Sequence, residues 1–208
     1  MGAGGAPPGQ DPPVQVFVVH ESGRTRVTRH FLAARTVIRK EPLGPDAERR
    51  LRHEVAVLER LRGVPGVAQL AETPEYPGSV VLEDAGDTSL AGQAGPLAVD
   101  DLTGLAVELA RAVAGMHQRG VMHRDITPAN IVLSPDGAPC LVDFALASSL
   151  AEIRPEFTHH PEIVGTLPYL APEQTGRTGR PVSRRSVPGT RCGSPMIIWR
   201  GCRCRLLR

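Results

Sequence analysis

Short runs of β-branched residues broken by turn formers open this chain, and helical periodicity takes over in its middle. Residues 14–19 (VQVFVV) read as a strand, closed by Glu21, Ser22 and Gly23. A second strand is expected near 26–29 and a third over 35–40 (RTVIRK), ended by Pro42, Gly44 and Pro45. Asp46 then caps a helix to about residue 62, where Gly63 and Pro65 stop it. Residues 67–70 and 79–83 complete a small sheet of five strands, with the helix between the third and fourth. From about residue 100 to 119 a longer helix is predicted. Leu102, Leu105, Leu109, Val113 and Met116 recur at three- and four-residue spacing there, and Gly120 supplies the stop. Residues 131–133 and 140–142 flank Ser134-Pro135-Asp136-Gly137, a hairpin with strong turn chemistry. Between 143 and 173 no period is visible, and a stretch of that length is usually functional.

Composition changes this picture at the two ends. At 208 residues, 41% of them apolar, the chain has material for one domain or a short two-lobed one. The formal net charge of +2 hides a split. All 22 acidic and 15 of the 24 basic residues fall in 1–173, which carry −7, whereas 174–208 hold nine arginines and no acid. Lys40 is the only lysine. Residues 1–13, rich in Gly and Pro, read as a disordered leader without the features of a signal peptide. No run approaches the ~18 apolar residues of a membrane span, so a cytoplasmic location is expected. Cys140 sits in an apolar run and reads as a small buried hydrophobe. Cys192, Cys202 and Cys204 are irregularly spaced without a nearby His, a poor zinc set.

The chemistry concentrates in three segments. Residues 123–130 read His123-Arg124-Asp125-Ile126-Thr127-Pro128-Ala129-Asn130. Thirteen residues after Asn130 begins Asp143-Phe144-Ala145, and later comes Ala171-Pro172-Glu173. A carboxylate and an amide five residues apart on one loop can orient a hydroxyl and hold a metal ion, and a second carboxylate after a hairpin can hold magnesium against phosphates. On the first helix Glu54 lies in line with Leu51, Leu58 and Leu61, and a carboxylate on a buried stripe needs a partner. Lys40, fourteen residues upstream, is the natural one. Taken alone, Glu54 reads equally well as an edge residue reaching water.

In order and spacing these segments resemble the bacterial serine/threonine protein kinases. They are most similar to the kinase modules that open large multidomain ATPase or sensor proteins in actinobacteria, over about residues 14–181. The resemblance implies an α+β, protein-kinase-like two-lobed fold, with a five-stranded N-lobe (14–84) carrying one helix and an incomplete helical C-lobe (85–181). It implies transfer from ATP, with Mg2+, to a Ser or Thr of a protein substrate. Asp125 would be the catalytic base or hydroxyl-orienting residue, Lys40 and Glu54 would serve the phosphates, and Asn130 and Asp143 would bind magnesium. Val27 and Glu83 join Lys40, Asn130 and Asp143 as nucleotide-binding residues. Arg124 resembles an arginine that senses a phosphorylated segment, with Thr158 an acceptor by position. Thr166 resembles the threonine that contacts the catalytic loop.

The pattern is departed from in four places. If Val27 closes the Gly-rich loop, His20, Ser22 and Thr25 occupy its glycine positions, obstructing backbone approach to phosphate. Thr127 stands where a lysine near the γ-phosphate is usual. Ala145 replaces a glycine, at a cost should that position need a positive φ. Finally, residues 182–208 show no amphipathic period and read as a basic tail of out-of-frame coding sequence, leaving the C-lobe short of helices. Nucleic acid is not an expected partner despite that tail. Two rival readings remain. One is a pseudokinase remnant that binds nucleotide or partners. The other is a small-molecule phosphotransferase, against which Arg124 and Ala171-Pro172-Glu173 argue.

Overall fold

The computed structural model describes residues 15–72, 76–149 and 165–171. The leader, Thr158, Pro172, Glu173 and the 182–208 tail lie outside them. The chain divides into two compact units, residues 1–51 with 71–84, and residues 52–70 with 85–208.

In the first unit β1 (Gln15–Glu21), β2 (Thr25–Phe31), β3 (Thr36–Pro42) and β4 (Val80–Glu83) form an antiparallel sheet in the order β1-β2-β3-β4. Val, Ile, Thr and Phe recur in these strands, residues that suit a pleated surface. Register defines two faces, because partners directly opposite each other share a face. One face carries the row Val27–Lys40–Val80 and then Arg29–Ile38–Leu82, while His30, Val37 and Glu83 belong to the other. Val37, Val80 and Leu82 are buried. β1, at the sheet edge, is exposed along its whole length and bulges between Val18 and His20.

A fifth strand at 67–70 was expected, but the sheet has four among the described residues. The carbonyls there are bonded locally. The Gln69 side-chain amide donates to Val64, Val67 and Ala68 carbonyls at 3.3, 2.9 and 3.4 Å, and its oxygen accepts from Gly63 N at 2.8 Å. Gly66, at φ 72°, turns the chain just before, and Val67 makes a single parallel bridge to Leu141.

Helix α1 (Ala47–Arg60) buries Glu54 and Leu58, the stripe its periodicity predicts. In the second unit, β5 (Thr88–Ser89) precedes α2 (Val99–Gln118). β6 (Val121–Met122), β7 (Ile131–Leu133), β8 (Pro139–Leu141) and β9 (Ser148–Ser149) follow, with β5-β7-β8 forming one small sheet and β6 pairing with β9. Leu109, Ala112, Val113 and Met116 turn the second half of α2 into the core with Leu61, Val64, Val121, Ile131, Leu141 and Phe144, while Val99, Leu102 and Val107 in its first half are exposed. Gly115 lets α2 lie close to the turn that follows α1, since a Cβ there would sit 2.7 Å from Val64 Cγ1. Cys140 on β8 is largely enclosed, and burial pushes its thiol up to about 11, so it carries no thiolate at neutral pH.

Candidate active site

The eight residues between β6 and β7 carry Asp125 and Asn130, and one buried ring organises them. His123 is 2% exposed. Its Nε2 lies 3.0 Å from Val142 O, its Nδ1 accepts from Asp125 N at 3.3 Å, and its ring lies 4.7 Å from that of Phe144. With one nitrogen facing a carbonyl and the other an N–H, the ring is the neutral Nε2–H tautomer. Arg124 adopts φ 69°, a left-handed conformation that costs about 1–2 kcal/mol for such a residue. Burial lowers the pKa of its guanidinium. The conformation delivers Asp125 into a ring of donors. Its Oδ1 accepts from Thr166 N at 2.9 Å and Thr166 Oγ1 at 2.8 Å, and its Oδ2 from Asn130 Nδ2 at 3.1 Å. Gly165 permits that approach, because its φ is 117° and a Cβ there would meet Leu170 Cδ2 at 2.7 Å and Arg124 O at 3.0 Å.

Asn130 ends a single 3-10 turn, Pro128–Asn130, in which Pro128 supplies the starting φ. Its Nδ2 also donates to Asp125 O at 2.9 Å, which turns the amide oxygen away as an oxygen ligand. Asn130 O accepts from Val142 N at 3.0 Å and so ties this loop to the residue before Asp143.

Asp143 is the second residue held left-handed, at φ 64°, and its Oδ1 accepts from Ala145 N at 3.3 Å. Among the described non-glycine residues only Arg124 and Asp143 have positive φ, so Ala145 occupies its position without that strain. The glycine usual there is not required by this backbone. Helix α1 holds the segment at three points. Glu54 Oε1 accepts from Phe144 N at 3.2 Å, His53 Nε2 lies 2.8 Å from Ala147 O, and Arg60 Nη1 donates to Ser149 Oγ at 2.9 Å. Asp143 and Asn130 together offer a carboxylate and an amide oxygen, the hard donors that suit a magnesium ion completed by phosphate oxygens and water.

The other predicted residues belong to the first unit. Lys40 is buried on β3, directly opposite Val27 and Val80. Glu83 is exposed and aligned with Val37, so its side chain is on the face opposite Lys40. The turn at 22–25 is tight and self-satisfied. Ser22 N donates to Thr25 O at 2.9 Å, and Ser22 Oγ accepts from Arg24 N at 3.3 Å and Thr25 N at 3.1 Å. Two N–H groups that a phosphate-cradling loop would present are therefore taken by a side chain. The sequence Ser-Gly-x-Thr carries that signal, a serine poised for a local turn. Thr127, in place of a lysine, is buried. The linking role of His123 went unforeseen, although its place two residues before Asp125, just after a strand, is visible in the sequence.

The model of the protein kinase domain family matches residues 19–186. The chain is 34% identical over 125 residues to the serine/threonine-protein kinase PknB of Mycolicibacterium smegmatis, covering 56% of this chain and 19% of that protein. It is 33% identical over 113 residues to PknB of Mycobacterium tuberculosis, covering 50% and 17%. To the probable serine/threonine-protein kinase PkwA of Thermomonospora curvata it is 42% identical over 81 residues, covering 39% and 10%. The chain thus spans about a fifth or less of the length of these relatives.

Proposed function

This chain belongs to the protein kinase domain family, and from that premise we propose that it transfers the γ-phosphoryl group of ATP to a serine or threonine hydroxyl of a protein. One observation carries the reading: Asp125 already holds a hydroxyl, Thr166 Oγ1, at 2.8 Å, which is the distance a general base or orienting carboxylate needs. A substrate hydroxyl presented to the same carboxylate is aligned for attack and has an acceptor for its proton. Asn130 and Asp143 would hold a magnesium ion, which would supply charge neutralisation at the phosphates. Lys40 supplies the cation for the α- and β-phosphates, with Glu54 the carboxylate assigned to it, and Val27 and the backbone at Glu83 flank the base. The serine/threonine preference is drawn from the names of the relatives. The cytoplasm, where Mg-ATP is available, is the compartment this reading fits. No helix of the described residues is long and apolar enough to cross a membrane.

The buried Thr127 and the closed Ser22 turn favour a second reading, a module that binds nucleotide without transferring it. Transfer of label from γ-labelled Mg-ATP to a generic protein acceptor decides between them. The expected result is transfer by the parent and a loss of about 10²–10⁴-fold in Asp125→Asn, the scale of general acid–base catalysis. Bound ATP without transfer selects the second reading, and absence of both overturns the two together.

A further inference from the structure

The turn at 22–25 is held from two sides, and one of the holds comes from the first turns of α1. Two successive N–H groups, of Arg24 at 3.3 Å and of Thr25 at 3.1 Å, converge on a single atom, Ser22 Oγ. At the other end of the peptide between Arg24 and Thr25, Arg24 O accepts from Leu43 N at 2.7 Å and from Arg50 Nη1 at 3.0 Å. Arg50 Nη2 donates to Leu43 O, so one guanidinium straps the β1–β2 turn to the segment that leaves β3. Arg24, Leu43 and Arg50 all belong to the first unit. Arg50 Nε makes no hydrogen bond among the described residues, so the hold rests on the two terminal nitrogens.

A trans peptide points its C=O and N–H in opposite directions, so fixing Arg24 O fixes the direction of Thr25 N–H. A donor to the carbonyl also polarises the amide and strengthens its N–H, and a cationic donor does so more than a neutral one. Successive backbone N–H groups that converge make a nest for an anion, and here a neutral hydroxyl stands in it. Ser22 is exposed, and one χ1 rotation takes that hydroxyl out. Thr25 lies one row along β2 from Val27, the residue opposite Lys40, and the rise of a strand puts these rows about 7 Å apart. We infer that Arg50 is a positioning residue: by holding Arg24 O, it keeps Thr25 N–H aimed at the point where it meets Arg24 N–H, and a polyphosphate oxygen takes the place of Ser22 Oγ there. This rests on the reading of the chain as one that binds ATP, and adds the residue that sets the turn without touching the ligand. A guanidinium suits the task because its flat fork reaches two carbonyls in one fixed geometry, which a rotating ammonium does not.

Calorimetric titration of the full chain with tripolyphosphate, Mg-ATP and adenosine reads this role directly. Arg50→Gln retains one donor and loses the charge and the second bond. It is expected to weaken tripolyphosphate and Mg-ATP about fivefold, the scale of one net hydrogen bond, and to leave adenosine unchanged. Arg50→Lys, which keeps the charge, is expected to recover part of that loss. Amide spectra of the isotope-labelled chain decide the matter even where Arg50→Gln fails to fold. Tripolyphosphate is expected to shift the Arg24 and Thr25 resonances of the parent, and to shift Thr25 less in Arg50→Lys. An unchanged tripolyphosphate affinity in Arg50→Gln, or equal Thr25 shifts in parent and Arg50→Lys, overturns the inference while the phosphoryl-transfer reading stands. Weakening of all three ligands together with a lowered Tm means a structural role and also overturns it. A parent that binds neither Mg-ATP nor tripolyphosphate removes both readings.

Discussion

At Ser22 a single hydroxyl closes a turn on itself. Its Oγ satisfies the N–H groups of Arg24 and Thr25, so neither is offered to phosphate. Ser22→Gly releases both and removes a side chain from the approach. Hydrogen bonds to charged groups contribute about 1.5–3 kcal/mol when made, and part of that is lost to ordering a freer loop. The expected outcome is Mg-ATP bound about threefold to tenfold more tightly, read by calorimetry, with tripolyphosphate improved in step. An unchanged affinity would show that the turn is not a phosphate cradle. Single residues were also where the sequence spoke most directly. The period of the first helix put Glu54 among leucines, and it is buried there. At Ala145 the condition for a cost is not met, because a motif records which residue is usual and not the φ the backbone takes in this chain.

At the scale of elements, the contact of α2 with the turn that follows α1 involves Gly115. Glycine inside a helix costs ~1 kcal/mol against alanine, so Gly115→Ala gains that much in propensity. It also drives a Cβ to within 2.7 Å of Val64 Cγ1. Valine is stiff at χ1 and cannot swing away cheaply, and such overpacking costs about 1–3 kcal/mol. A net loss is expected, visible as a lower urea midpoint. Val64→Ala added to it should cost less than the two single changes combined, because it removes the opposing methyl. The four strands of the first sheet, both helices and the β7–β8 hairpin were legible from alternation, period and turn residues, whereas β5, β6 and β9, two residues each, are too short to show a pattern. The stretch at 67–70 was not, because a side-chain amide, that of Gln69, competes for the carbonyls a ladder would need. Hydrophobic pattern does not register that competition.

For the whole molecule, stability depends on a buried titratable group on the sheet face away from Lys40. His30 is buried beside Thr28, with Nε2 2.9 Å from Thr28 Oγ1, and its ring meets Tyr76 edge-on. Burial first, and then the charge of Arg39, holds its imidazole below the ordinary 6.5. Between that lowered value and 6.5 the unfolded chain takes up a proton that the folded chain does not. The stabilisation is therefore complete above 6.5 and is lost as pH falls through the window. The Tm of the parent should drop more steeply on acidification below about pH 6.5 than that of His30→Gln, which keeps a bond to Thr28 and loses the titration. Equal slopes would clear His30 of the effect.

The imidazole of His123 has a further consequence. One ring nitrogen faces the carbonyl of the residue before Asp143, and the other receives the N–H of Asp125. The gap between the loop that carries Asp125 and the segment that carries Asp143 is thereby gauged by the width of a single five-membered ring. No open-chain amide spans it with the same stiffness. Any redesign that seeks a longer or shorter reach between Asp125 and Asp143 in this scaffold must therefore begin by replacing that ring.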